Sequence, residues 1–243
     1  MVCSQQADID NSHLDLDELN ERFENAHPKE ILAWCLRNIP TGLIQTSAFG
    51  VTGMVIMDLL YRELKPNPPV PVLFLDTLHH FKETLDLVER SRQHYNLDLR
   101  VYKVIDAESR ELFARRYGDL LWEKDVQKFH YLTKVEPLQR GLSELNTQAW
   151  ITGRRRDQSD SRTKLFVFER DIKKRIKVNP LASWTRKETW SYVLEHNVPY
   201  NVLHDMGYAS IGDEPLTTPV GADEHERAGR WRGTGKTECG IHI

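Results

Sequence analysis

Three stretches of this 243-residue chain gather side chains able to do chemistry on an anion. The first is RGTGKTECGIHI, residues 232–243. Here Cys239 sits between glycine-containing turns, with Lys236, the upstream Arg227, Arg230 and Arg232, and His242 nearby in sequence. The thiolate is the nucleophile, a free thiol titrates at about 8.5, and neighbouring positive charge lowers that value. Gly235 and Gly240 let the backbone fold inward. The pattern fits a nucleophilic cysteine on an arm that closes over a ligand and reopens toward another protein. An incidental, untethered cysteine is the competing reading.

The second stretch is TGRRRDQSDSRTK, residues 152–164. Arg154, Arg155, Arg156, Arg162 and Lys164 are interleaved with Ser159 and Ser161. A guanidinium fork matches phosphate oxygens two at a time. The third is TSAFG, residues 46–50, where Thr46, Ser47 and Gly50 combine hydroxyls with low bulk at the start of a helix. Free N–H groups at a helix start suit phosphate or sulfate. LDTLHHF, residues 75–81, places Asp76 and Thr77 at a comparable strand end, where helix capping is the alternative role. A phosphate-loop reading of GRWRGTGKT fails: G-x-x-x-x-G-K-[ST] needs glycine at position 230, which is Arg230, and no apolar strand precedes it.

The elements that must carry these stretches follow from periodicity. Residues 14–24 and 28–38 read as helices, with Pro28 at a helix start. Strands are predicted at 42–48, 69–76, 97–104 and 149–153, with helices at 49–64 and 80–95 between the first three. The helix over 49–64 is apolar almost all round and so predicted to be buried. Residues 107–145 read as mostly helical, and 165–180 as a hairpin or strand pair. TRKE, residues 185–188, fits a capping box. This order predicts an α/β fold: a doubly wound, mostly parallel sheet with ligands at the carboxyl ends of its strands. We expect a disordered leader over 1–13, an α/β nucleotide-binding domain over 14–205, and a flexible, mobile C-terminal arm over 206–243.

Composition narrows the class. Hydrophobic content of 40% and charged content of 28% are those of a globular protein. A net charge of −3 argues against a nucleic-acid coat, no apolar run reaches membrane-spanning length, and the N-terminus lacks a signal pattern, so a cytoplasmic location is expected. Cys3, Cys35 and Cys239 form neither a disulfide framework nor a C-x-x-C ligand set. Cys35 reads as a buried small hydrophobe and Cys3 as incidental. His79 and His80 are adjacent and so point apart, which leaves no metal site.

The set TSAFG, FLDT, KVEPL, GRRRDQSDSR, GYASIGD and KTECGIH runs in order from about residue 40 onward. It resembles the assimilatory 3′-phosphoadenylyl sulfate (PAPS) reductases. That family has an adenine nucleotide alpha hydrolase-like fold and reduces an adenylyl sulfate to sulfite with electrons from thioredoxin. The resemblance implies that Cys239 is the nucleophile and that Thr46, Ser47, Phe49 and Gly50 form a modified pyrophosphate-type loop, with Ala48 where a serine is usual. It implies that Asp76 and Thr77 line the nucleotide pocket and that Lys134 meets substrate charge. Arg155, Arg156, Gln158, Ser159 and Arg162 would hold phosphate and sulfate oxygens, and Glu238, Gly240 and His242 would shape the arm's approach, with Arg230 and Lys236 adding charge.

Relatives that act on adenylyl sulfate (APS) without a 3′-phosphate carry a [4Fe–4S] cluster on four cysteines. The matching positions here are Phe129, His130, Asp213 and Leu216, so the resemblance implies no cluster and PAPS as substrate. It further implies attack of Cys239 on the sulfonate sulfur, release of adenosine 3′,5′-bisphosphate, and resolution of the adduct by reduced thioredoxin or glutaredoxin, in a homodimer. Two other classes compete. An adenylating enzyme of this fold wants S-G-G-x-D-S, which TSAFGVT lacks. A non-catalytic nucleotide sensor would bind the bisphosphate and tolerate loss of Cys239.

Overall fold

The computed structural model describes residues 14–236, 238 and 240–242. The 1–13 leader, Cys3 and Cys239 lie outside the described residues. Six strands form one sheet: β1 (Leu43–Thr46), β2 (Val72–Asp76), β3 (Leu99–Lys103), β4 (Ala149–Ile151), β5 (Phe168–Arg170) and β6 (Ile176–Val178). Their spatial order is β3-β2-β1-β4-β6-β5. Every neighbouring pair is parallel except β5 with β6, which closes the sheet as an antiparallel hairpin. The chain runs outward from β1 through β2 to β3, then returns to the other side of β1 to lay down β4. The order therefore reverses between β1 and β4, and the loops leaving these two strands part to form a crevice.

Alternation along the strands sorts the helices into two layers. Leu43, Val72, Phe74, Ala149, Ile151 and Val178 face the main core with α2 (Pro28–Asn38), α3 (Val51–Asp58), α4 (Lys82–Tyr95) and α9 (Arg186–Glu195). Ile44, Leu73 and Trp150 face the other way, onto Leu138 and Leu142 of α8 (Glu136–Glu144). Helix α3 is apolar on all sides and is buried from Thr52 to Asp58, as the sequence predicts. Its one charge, Asp58, accepts hydrogen bonds from Arg62 (2.9 and 2.8 Å), Tyr95 (3.1 Å) and Tyr192 (2.8 Å), which ties α3 to α4 and α9. The helix departs from expectation by widening: residues 59–64 continue as a π-helical turn that ends at Lys65 in the left-handed region (φ 47°).

Local chemistry explains the helix starts. Asp15 caps α1 (Leu16–Phe23), and Pro28 opens α2 behind His27. Thr185 and Glu188 form the reciprocal capping box at the start of α9. The region predicted as mostly helical resolves into α5 (Arg110–Tyr117), α6 (Leu121–Lys124), α7 (Val126–His130), a π-helical turn (Tyr131–Val135) and α8. Residues 206–236 contain only short turns and isolated bridges, as the Gly, Pro and Thr content predicts, yet they pack closely. Leu216 and Trp231 join Phe113, Trp122 and Phe129 in a separate apolar cluster between α5, α7 and the arm. Removing a ring buried like Trp231 costs about 3–5 kcal/mol.

Candidate active site

A cavity of about 230 Å³ lies at the carboxyl ends of the strands, at the reversal between β1 and β4. One wall is the β1–α3 loop. Ser47 Oγ accepts from the Phe49 N–H (3.0 Å), and Phe49 turns into the left-handed region (φ 55°). That turn sends the Phe49 ring into the core, edge-on to Phe74 at 5.4 Å, and leaves Thr46, Ser47, Ala48 and Gly50 facing the cavity. No side chain caps α3, so its first N–H groups stay open toward the same space. The opposing β4 loop passes close overhead. A Cβ on Gly153 would lie 2.6 Å from Thr52 Oγ1 and 3.1 Å from the Gly53 nitrogen, so only glycine lets the two loops approach.

The loop after β4 supplies the guanidinium groups. Arg154, Arg155 and Arg162 are each more than nine-tenths buried and line the cavity. Arg154 holds Glu169 and donates to Asn179 Oδ1 (3.2 Å), and burial leads the causes that lower its proton affinity. Arg155 binds Asp157 (2.8 Å) and Glu226 (2.7 Å), and Gln158 accepts from the Arg155 N–H (3.1 Å) and from Arg162. Arg162 donates twice to Glu238, at 2.7 and 2.8 Å. Burial alone would raise the Glu238 carboxyl, but Arg162 and Arg227 outweigh it and hold the group below the usual range.

The remaining walls come from distant segments. Thr77 and His80 enter from the β2–α4 loop, Lys134 from the π-helical turn before α8, and Asp213, Arg227 and Arg230 from the arm. Asp213 pairs with Lys134. Arg230 lies over the Trp231 ring at 4.5 Å and donates to Ser210 Oγ (3.3 Å) and Ile211 O (3.1 Å). Beyond it, Ile241 packs on the α8-side core and His242 stacks on Trp150 at 5.7 Å with planes 9° apart. Lys177, its proton affinity pushed down to about 8 by burial and then Arg154, donates to the His242 carbonyl (3.3 Å). His242 is held well below the imidazole range by burial, with Arg154 and Arg162 adding to it.

Of the residues singled out in the sequence, Thr46, Ser47, Gly50, Thr77, Lys134, Arg155, Gln158, Arg162, Arg230 and His242 line one cavity. The structure does not bring five other expected residues there. Arg156 turns away to grip Glu24 (2.5 and 2.8 Å) and the Leu165 carbonyl (2.8 Å). Arg155 is still extended, whereas Arg156 opens a 3-10 turn (Arg156–Gln158), and the change of backbone sends the two side chains to different partners. Ser159 pairs with Ser161 (2.9 Å) outside the cavity, and Phe49 belongs to the core. Asp76 accepts from the Leu78 N–H (2.9 Å), which closes a local turn and caps no helix, since α4 starts at Lys82 without a side-chain cap, and Lys236 lies off the wall. Cys239 lies outside the described residues, but the residues on either side of it, Glu238 and Ile241–His242, line the cavity.

No local pattern in the sequence marks His80 or Glu226 for the site, Arg154 shows there only as part of the arginine run, and Arg227 only as charge near Cys239; all four face the cavity. Arg154 was within reach as the first member of the arginine run. The others come from segments whose convergence no local pattern encodes. Phe129, His130, Asp213 and Leu216 do converge: Phe129 and Leu216 share the cluster with Trp231, and the Trp231 Nε1–H donates to His130 Nε2 (3.3 Å). Cys35 is buried, and burial pushes its thiol far above the usual range. Among the described residues no helix is long and apolar enough to cross a membrane.

Comparison with known proteins agrees with this architecture. Residues 42–219 match the model of the phosphoadenosine phosphosulfate reductase domain. The chain is 49% identical over 229 residues to the phosphoadenosine phosphosulfate reductase of Emericella nidulans, covering 93% of this chain and 74% of that one. It is also 42% identical to the adenosine 5′-phosphosulfate reductase of Lysinibacillus sphaericus, covering 93% and 94%. The crystal structure of PAPS reductase from Candida auris, in a phosphate complex, superposes with a TM-score of 0.76 at 42% identity over 84% of this chain and 96% of that one. The fold is thus the expected adenine nucleotide alpha hydrolase-like one, and the chain belongs to the phosphoadenosine phosphosulfate reductase family.

Proposed function

We propose that this protein reduces PAPS to sulfite and adenosine 3′,5′-bisphosphate. The observation that carries the reading is a cavity at the sheet's reversal point, walled by Arg154, Arg155 and Arg162, into which the residues flanking Cys239 reach. In the proposed reaction the Cys239 thiolate attacks the sulfonate sulfur. The sulfur–oxygen bond to the phosphate breaks, its electrons leave with the bisphosphate, and a Cys239–S–SO₃⁻ adduct forms. Charge grows on the departing phosphate, so donors fixed around it act most strongly in the transition state. One thiolate of reduced thioredoxin or glutaredoxin then attacks Cys239 Sγ and displaces sulfite. The carrier's second thiol resolves the mixed disulfide, so the two electrons come from the dithiol. No iron–sulfur cluster takes part, because the four corresponding positions supply no thiolate. The working unit in this reading is a homodimer.

APS is the second reading, favoured by the likeness to the Lysinibacillus sphaericus enzyme. One experiment separates the two. Purified protein receives PAPS or APS with reduced thioredoxin, and sulfite is measured for wild type and Cys239→Ser. The expected result is sulfite from PAPS, little from APS and none from the variant, which still binds the bisphosphate. With reductant withheld, the peptide containing Cys239 gains the mass of SO₃. Sulfite release by Cys239→Ser at the wild-type rate overturns the mechanism.

A further inference from the structure

Asp213 is fully buried, and its backbone is pinned from two directions. It pairs with His80 as an isolated bridge, and the next residue, Glu214, donates its N–H to the His79 carbonyl (2.7 Å). The Asp213 carbonyl accepts from Thr217 Oγ1 (2.7 Å) and from the Leu216 N–H (3.1 Å). This holds the carboxylate at a fixed point of the cavity wall. Oδ2 takes the ammonium of Lys134, which is itself nine-tenths buried and lines the same cavity, while Oδ1 has no hydrogen-bond partner among the described residues.

A buried ion pair with one carboxylate oxygen left open is a poor way to gain stability, since apolar residues of equal volume do as well or better. Its surroundings point to a purpose. His80, His130 and Arg230 face this pair from the β2–α4 loop, α7 and the arm. His130 uses Nε2 to accept from Trp231, so that nitrogen carries no proton. Asp213 is the fixed negative charge among cations and neutral rings. We infer that Asp213 is a positioning residue, which holds the Lys134 ammonium aimed at an anionic group of the bound nucleotide. The inference rests on the functional reading above.

The test is a double-mutant cycle on affinity for adenosine 3′,5′-bisphosphate, measured by calorimetry. Asp213→Asn is expected to bind at least tenfold more weakly than wild type, and Asp213→Glu, which keeps the charge, to recover most of that loss. Lys134→Met should show a loss of its own. The double variant should bind no more weakly than Lys134→Met alone. Losses that add in the double variant, or an Asp213→Glu variant that binds no better than Asp213→Asn, overturn the inference and leave the functional reading standing. If Asp213→Asn does not fold, the double variant, which buries neither charge, decides the matter against Lys134→Met. A wild type that fails to bind the bisphosphate overturns both.

Discussion

Glu238 grips Arg162 with both carboxylate oxygens, at 2.7 and 2.8 Å, and Arg227 joins the same carboxylate at 3.2 Å. This is the geometry in which a guanidinium meets phosphate or sulfate. The residue before Cys239 thus supplies the arginines with an internal anion. In the proposed reaction a substrate oxyanion would compete with Glu238 for this one fork. Glu238→Gln removes the competing charge and is expected to tighten bisphosphate binding about fivefold, or roughly 1 kcal/mol. Turnover should fall, because the arm loses the contact that brings it to the wall. Weaker binding in titration calorimetry would show that Glu238 helps hold the ligand instead.

Arg155, Arg156 and Arg162 look alike in sequence and differ in place. Arg155→Ala or Arg162→Ala is expected to lower kcat/KM at least a hundredfold, the effect of removing one fixed donor at about 2.7–4 kcal/mol. Arg156→Ala should leave kcat/KM within threefold. Its bidentate contact with Glu24 is partly exposed, so the stability loss should stay under about 1 kcal/mol. Steady-state kinetics and urea unfolding on the three variants check this. An Arg156→Ala variant as inactive as Arg162→Ala would place that side chain on the ligand.

The same comparison shows how much a sequence can reveal. The sheet was legible because β1, β2 and β4 are short apolar runs followed by turn residues, and the α3 pattern is too uniformly apolar for a surface helix. The cavity's place followed, since a doubly wound sheet binds ligands at its reversal. Side-chain direction did not follow. Nothing in RRR tells which guanidinium turns inward until Arg156 finds Glu24 on the C-cap of α1, 132 residues away in sequence. Asp213 and Lys134, separated by 79 residues, likewise meet only because the arm packs Leu216 and Trp231 against Phe129. The packing of the arm also escaped local reading, because its burial depends on scattered residues instead of a periodic face.

Gly212 offers a steric test of that arm. A Cβ there would lie 2.1 Å from Arg230 Nη2 and 2.4 Å from Cζ, so any side chain displaces the guanidinium from Ser210 Oγ and the Ile211 carbonyl. Gly212→Ala is expected to cost about 1–3 kcal/mol by overpacking. Bisphosphate affinity should fall with it, since Arg230 lines the cavity. Thermal unfolding and calorimetry measure the two effects. An unchanged Tm would mean that Arg230 readily finds another seat.

Acid sensitivity gives the last prediction. His79, His80, His130, His204 and His242 are all held below the ordinary imidazole range, and burial is the leading cause in each. His130 is pushed down to about 3, with Lys134 adding to the effect of burial. In the unfolded chain these rings take up protons near pH 6.5. Below that pH the unfolded state binds more protons than the folded one, so stability falls as pH falls. For His130 alone the loss is about 1.4 kcal/mol on going one unit below 6.5. Asp58, Asp213 and Glu238 have depressed values, so their stabilising contributions are nearly complete above about pH 5 and fade below it. A decline between pH 7.5 and 5.5 therefore belongs to the histidines. Tm should drop across that window, and His130→Gln, which keeps an acceptor for the Trp231 N–H, should make the drop shallower. A Tm that stays level from pH 7.5 to 5.5 would mean that the buried rings can be protonated in place.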